Sequence, residues 1–205
     1  MSFWNTSDGH DTTKETSGEF DAGGGSLVPI PEGAQVLAMI QEAKWEEKNG
    51  DKYISLLWKV VAPEDHKDRT IFQKLWVDDL DPSVRNKDGA FDREKAEKKR
   101  DKAKRMLAAI DMNAGGGLRK NASRPTDETM TQNLALKPMV LKAMVWKVKD
   151  RDTGEIIMGN WVGAVSPRVV GQELSKGDPK SVEQPSGQQQ SSGSRSLVED
   201  DEIPF

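Results

Sequence analysis

The sequence predicts a mainly β domain, a five-stranded barrel with one helix between its third and fourth strands and flexible termini. Three observations carry this. Five strand-like runs, dominated by apolar residues or alternating with a period of two, occupy residues 35–45, 53–61, 69–77, 138–149 and 156–165. Two hairpin signals lie between neighbouring runs, Asn49-Gly50 and the turn ending at Gly154. One stretch of helical spacing, opening at Asp92 and closing at Gly115-Gly116-Gly117, falls between the third and fourth runs.

Residues 1–26 are rich in Ser, Thr, Asp and Gly, with Phe3, Trp4 and Phe20 as the only aromatic residues, and read as a flexible arm. The first strand then carries Val36, Leu37, Ala38, Met39 and Ile40. In the second, Ile54, Leu56, Trp58 and Val60 share a face read as core, while Tyr53, Ser55, Leu57 and Lys59 share the more exposed one. The third places Ile71, Gln73, Leu75 and Val77 opposite Phe72, Lys74 and Trp76. An aromatic, basic, aromatic face is unusual for a strand; in the plainer reading, Phe72 and Trp76 are core and Gln73 faces solvent.

The helix has Asp92 as its expected N-cap and Ala96, Ala103, Met106, Leu107 and Ile110 at helical spacing. Its many lysines are interspersed with Glu94, Glu97 and Asp101, so a solvated face is expected. Residues 118–133 read as a long polar connection, in which Arg124 belongs to a mobile basic loop. On the fourth strand Lys142 and Trp146 share one face, and Gly159 and Gly163 of the fifth suggest bending or close backbone approach. Residues 27–170 thus form the domain, residues 171–196, rich in Gly, Ser, Gln and Pro, a disordered linker, and residues 197–205 an acidic tip.

Composition supports this division and narrows the function. Of 205 residues 35% are hydrophobic and 31% charged, too polar for a globule folded throughout. The net charge of -4 conceals a gradient: residues 34–170 carry 26 Lys and Arg against 21 Asp and Glu, between acidic ends. A mildly basic body admits a nucleic-acid partner. Cysteine is absent, which removes disulfides, thiolate nucleophiles and cysteine metal ligands. The two histidines, His10 and His66, lie in the arm and in a polar turn, so no enzyme is expected, and no metal or other cofactor. Asp78, Asp79 and Asp81 surround an Asp-Pro turn that accounts for them without a metal. No apolar run approaches membrane-spanning length and no signal-peptide pattern opens the chain. A cytoplasmic protein without membrane contact is the expectation.

Three strands, a helix and two strands is the order of an OB-fold, which binds through strands 2 and 3 and the loops joining strands 1 to 2 and 4 to 5. On that template Tyr53, Phe72, Trp76 and Trp146 are the candidates for stacking on bases. Lys48, Lys52, Lys59, Lys74, Arg124, Lys142, Lys149 and Arg151 are the candidates for phosphate contacts. Single-stranded DNA, bound without regard to sequence, is the ligand this combination fits. A protein-protein adaptor whose barrel binds protein is the alternative, since one fold hosts many functions.

The chain ends Asp200-Asp201-Glu202-Ile203-Pro204-Phe205, an acidic run leading to an apolar tip that suits capture by a basic-rimmed pocket. This ending closely resembles the tip of bacterial single-stranded DNA-binding proteins, which recruits replication and repair enzymes. The opening Phe3-Trp4-Asn5-Thr6-Ser7-Asp8-Gly9, the order of elements and the length look like the single-stranded DNA-binding proteins encoded by tailed phages. The resemblance implies DNA protection in replication, recombination or repair inside the host cytoplasm, with replication or recombination proteins, of host or phage, as partners of the tip. It is compatible with a homo-oligomer.

Overall fold

The computed structural model describes residues 28–120, 123–149, 154 and 156–182. The arm, Arg151 and the tip lie outside the described residues. The strands are β1 (Gln35–Lys48), β2 (Asp51–Ala62), β3 (Thr70–Leu75), β4 (Met139–Lys149) and β5 (Ile156–Pro167). Helix α1 (Arg93–Ala114) follows β3, and a short α2 (Asp127–Leu134) precedes β4. The strands form one antiparallel sheet in the order β3-β2-β1-β4-β5.

β1 serves two partners, β4 along residues 35–38 and β2 along most of its length. Register shifts at Leu37/Ala38 and Ile40/Glu42 let it turn from one to the other, because an extra residue bends and twists a strand locally. Asn49 and Gly50, with φ of 56° and 91°, make the tight turn into β2. Positive φ at both central residues matches the twist of the flanking strands, and Asn-Gly adopts it at little steric cost.

The inward row of β2 is the one expected: Ile54, Leu56, Trp58 and Val60 are buried, with Val36, Ala38 and Ile40 of β1 and Ile71 and Leu75 of β3. Burying one such side chain is worth ~1.5–3 kcal/mol. A slip of one residue would turn the whole row to solvent, so these contacts hold the register.

Asp92 caps α1, its carboxylate accepting the Lys95 backbone N–H at 2.9 Å, and Gly115 ends the helix at φ 112°. Ala96, Ala103 and Ile110 form the buried stripe, and the helix packs on β3 and β5. Asp111, also buried, accepts the Leu118 N–H at 2.9 Å and the Arg119 N–H at 3.1 Å, which fastens the glycine turn to the helix. β3 and β5 approach one another, and no ladder joins these two edges among the described residues.

Two segments depart from the sequence reading. The polar connection contains α2, nucleated by a capping box in which Thr126 and Thr129 satisfy each other's backbone N–H groups. Met130 and Leu134, four residues apart, anchor it in the core. The linker expected from residue 171 is instead held to the domain as far as Val182. Gln35 N–H donates to the Ser175 carbonyl at 2.8 Å, Asp178 N–H to the Glu32 carbonyl at 2.8 Å, and Glu32 N–H to Ser181 Oγ at 2.8 Å. Gly177 makes the approach possible, because a Cβ there would lie 2.5 Å from the Ala34 nitrogen. Among the described residues no helix is long and apolar enough to cross a membrane.

Candidate functional site

Where α1 lies against the near edges of β3 and β5, a groove of about 320 Å³ opens to solvent. The helix contributes Lys95, Lys98, Lys99 and Lys102, whose spacing of three, four and seven residues puts them on one face. β3 contributes Phe72 and Lys74, the residue just after it Trp76, and β5 contributes Trp161. Gln73, Ala103, Met106 and Val162 also line it. Five lysines and three aromatic residues line the groove, and no carboxylate does so among the described residues.

The lysines are held from the sides and from behind. Lys102 Nζ sits 5.9 Å from the Trp161 ring centroid and Lys74 Nζ 5.3 Å from that of Tyr53. Lys98 donates to Glu94 Oε1 at 2.6 Å, and that hydrogen bond holds its ammonium above the usual lysine range. Lys99 reaches Asp81 Oδ2 at 2.6 Å. Asp81 is only 1% exposed, and the Ser83 N–H and hydroxyl also donate to it, at 2.9 and 2.6 Å. Burial alone would raise its pKa, but the hydrogen bonds from Lys99 and Ser83 outweigh burial and keep the carboxyl below the ordinary aspartate value.

The residues expected to bind fall into three groups. Phe72, Lys74 and Trp76 come together in the groove. Phe72 is 60% exposed, but Trp76 is 2% and Tyr53 5% exposed, which corrects their reading as open stacking platforms. The two rings pack against each other with centroids 4.8 Å apart, and Tyr53 Oη donates to Glu46 Oε2 at 2.8 Å. Burial first, and the Glu46 carboxylate second, push that phenol above its usual pKa.

Lys52 and Arg124 form the second group, around Trp45 in a separate cleft that Glu46, Glu47 and Asp127 also line. The Arg124 guanidinium lies 4.1 Å from the Trp45 ring centroid and 2.9 Å from Asp78 Oδ2. Asp79 accepts the Lys52 backbone N–H at 2.6 Å. With Asp81 bound to Ser83 and Lys99, the three acids around the Asp-Pro turn share no partner.

The third group is dispersed. Lys59 pairs with Asp68 Oδ1 at 2.8 Å. Lys48, Lys142 and Lys149 are exposed and line neither depression. Trp146 lies across Gly159, where a Cβ would collide with its indole.

Trp161 and Lys95 are groove residues that the sequence reading passed over, and Lys98, Lys99 and Lys102 it assigned to a solvated face rather than to a site. The signal was present, since residues 95, 98, 99 and 102 lie on one helical face and Glu94, Glu97 and Asp101 lie off it. Counting charges along the helix, instead of sorting them by face, concealed it. Comparison with protein-family models and with curated proteins finds no match to this chain.

Proposed function

We propose that the protein binds single-stranded DNA without strict sequence preference, and that the groove between α1, β3 and β5 is where the strand lies. One observation carries this reading, the convergence of five lysines with Phe72 and Trp161 on a surface that no carboxylate lines among the described residues. Ammonium groups attract phosphates by releasing condensed counterions, and aromatic faces stack on any base at ~1–3 kcal/mol each. A duplex hides its base faces, so an aromatic groove favours a strand whose bases are unstacked.

The strand order, with a helix after β3, suits an OB barrel whose seam falls between β3 and β5. On this reading residues 200–205 recruit replication or recombination proteins, as the resemblance of the ending implies.

The test is a fluorescence titration of the full chain with oligo-dT and with duplex DNA at two salt concentrations. The expected result is quenching by oligo-dT, weaker binding of duplex, and affinity that falls as salt rises. Absence of salt-sensitive binding to oligo-dT would refute the reading.

A further inference from the structure

Gln73 stands in the core-facing row of β3, between Ile71 and Leu75, and is 6% exposed. A buried amide in such a row needs partners for both its ends. Trp58 Nε1, itself fully buried, donates to Gln73 Oε1 at 2.9 Å. An indole N–H can only donate, so it can hold only the oxygen end of the amide. This contact therefore decides which end remains for the groove that Gln73 lines. The end left over is an NH₂ with two donors, for which no described residue provides an acceptor. Leu or Met would fill the same position without stranding a donor.

We infer that Gln73 reads one base edge of the strand seated in the groove, its amide NH₂ donating to a base carbonyl oxygen. The inference rests on the nucleic-acid reading above. Phe72 and Trp161 line the same groove and offer stacking surfaces, and Lys98 and Lys102 line it with ammonium groups for the flanking phosphates. An amide NH₂ suits thymine, whose acceptors are carbonyl oxygens, each with a second lone pair directed away from N3–H. Adenine offers only ring nitrogens with a single lone pair, and at N1 and N7 the N6 amino group stands beside that lone pair and repels an incoming donor. Binding remains tolerant of sequence, with one position at which a carbonyl-bearing base is favoured.

The experiment measures fluorescence anisotropy of labelled oligo-dT and oligo-dA of equal length on the full chain. Gln73→Leu alone would strand the Trp58 N–H and endanger folding, so the first variant is the double substitution Trp58→Phe/Gln73→Leu. Removing donor and acceptor together is close to neutral for stability. The second variant, Gln73→Glu, keeps an oxygen for Trp58 and replaces the groove-facing donors by an acceptor. Because oligo-dA stacks on itself, the readout is the change in the dT:dA affinity ratio, not its absolute value.

The ratio is expected to fall about three- to tenfold in each folded variant, the size of one hydrogen bond, mainly through weaker oligo-dT binding. An unchanged ratio in either folded variant overturns the base-edge role and leaves the DNA reading standing. Failure of the wild-type chain to bind either strand removes both.

Discussion

The groove beside α1 and the cleft at the end of the β1–β2 hairpin each combine tryptophan with cations, yet they are chemically opposite. In the groove, Lys74, Lys95, Lys98, Lys99 and Lys102 line a wall to which no carboxylate contributes among the described residues. In the cleft, Lys52 and Arg124 share the wall with Glu46, Glu47 and Asp127. Trp45 is committed there: its indole N–H donates to the Pro125 carbonyl at 2.8 Å and its backbone N–H to Asp127 Oδ1 at 2.7 Å. The difference teaches that a basic patch is defined by what neutralises it. Arg124 fastens the loop before α2 to β1, whereas the carboxylates that Lys98 and Lys99 meet, Glu94 and Asp81, do not line the groove itself.

The largest expected contrast concerns the carboxylate behind each region. Asp81 is buried and paired with Lys99, whereas Asp78 and Arg124 are both about half exposed. Asp81→Asn should therefore cost about 3 kcal/mol at pH 7, as expected for breaking a buried pair. Asp78→Asn should cost less than about 1 kcal/mol, the value of an exposed pair. Urea unfolding of both variants checks this. Because the folded-state pKa of Asp81 is depressed, its contribution is fully present above the unfolded aspartate value and is lost as pH falls through the lower folded value. The gap between wild type and Asp81→Asn should accordingly narrow on acidification, and a gap constant with pH would remove the ionised pair as its cause.

Charge reversal should separate the two regions next most strongly. Lys98→Glu/Lys102→Glu is expected to weaken oligo-dT binding by about 100-fold at low salt and to flatten the log–log salt slope by ~1.4, for two lost phosphate contacts. Arg124→Glu should change affinity by less than about threefold, since Glu46, Glu47 and Asp127 line the cleft in which it stands and already repel phosphate. Equal losses at both places would mean that the strand runs through the cleft as well.

The smallest contrast concerns the tryptophans. Trp161→Ala should cost about tenfold in affinity, one stacked base, with little change in the melting temperature. Trp45→Ala should do the reverse, lowering the melting temperature through its lost hydrogen bond and ring contact while sparing affinity. A thermal melt and a titration on each variant decide between these outcomes.

Much of the scaffold was legible because its causes are local. Asn49-Gly50 announces its turn through φ, the row from Ile54 to Val60 announces its face through period two, and Asp92 and Gly115 announce the ends of α1 through the orphan groups of a helix. The helix α2 was missed because its capping box uses Thr129 where Glu or Gln would have been a stronger signal. Residues 171–182 were missed because backbone hydrogen bonds hold most of that segment, and composition does not report those. For the site, Phe72 and Lys74 were visible by alternation, but the burial of Tyr53 and Trp76 against each other was not.

What the sequence by itself determined is therefore the set of strands, the inward face of β2 and the caps of α1, since each follows from the sterics and periodicity of a few neighbouring residues. What only the tertiary structure decided is the groove and its charge. Phe72, Lys98 and Trp161 are far apart in the chain and meet only when α1 packs against the near edges of β3 and β5. Which cations stay available to a ligand follows from which carboxylates fold beside them. Gln73 shows the same division: alternation grouped it with Ile71 and Leu75, the fold turned that face inward, and the position of the Trp58 N–H determined which end of its amide is left for the groove.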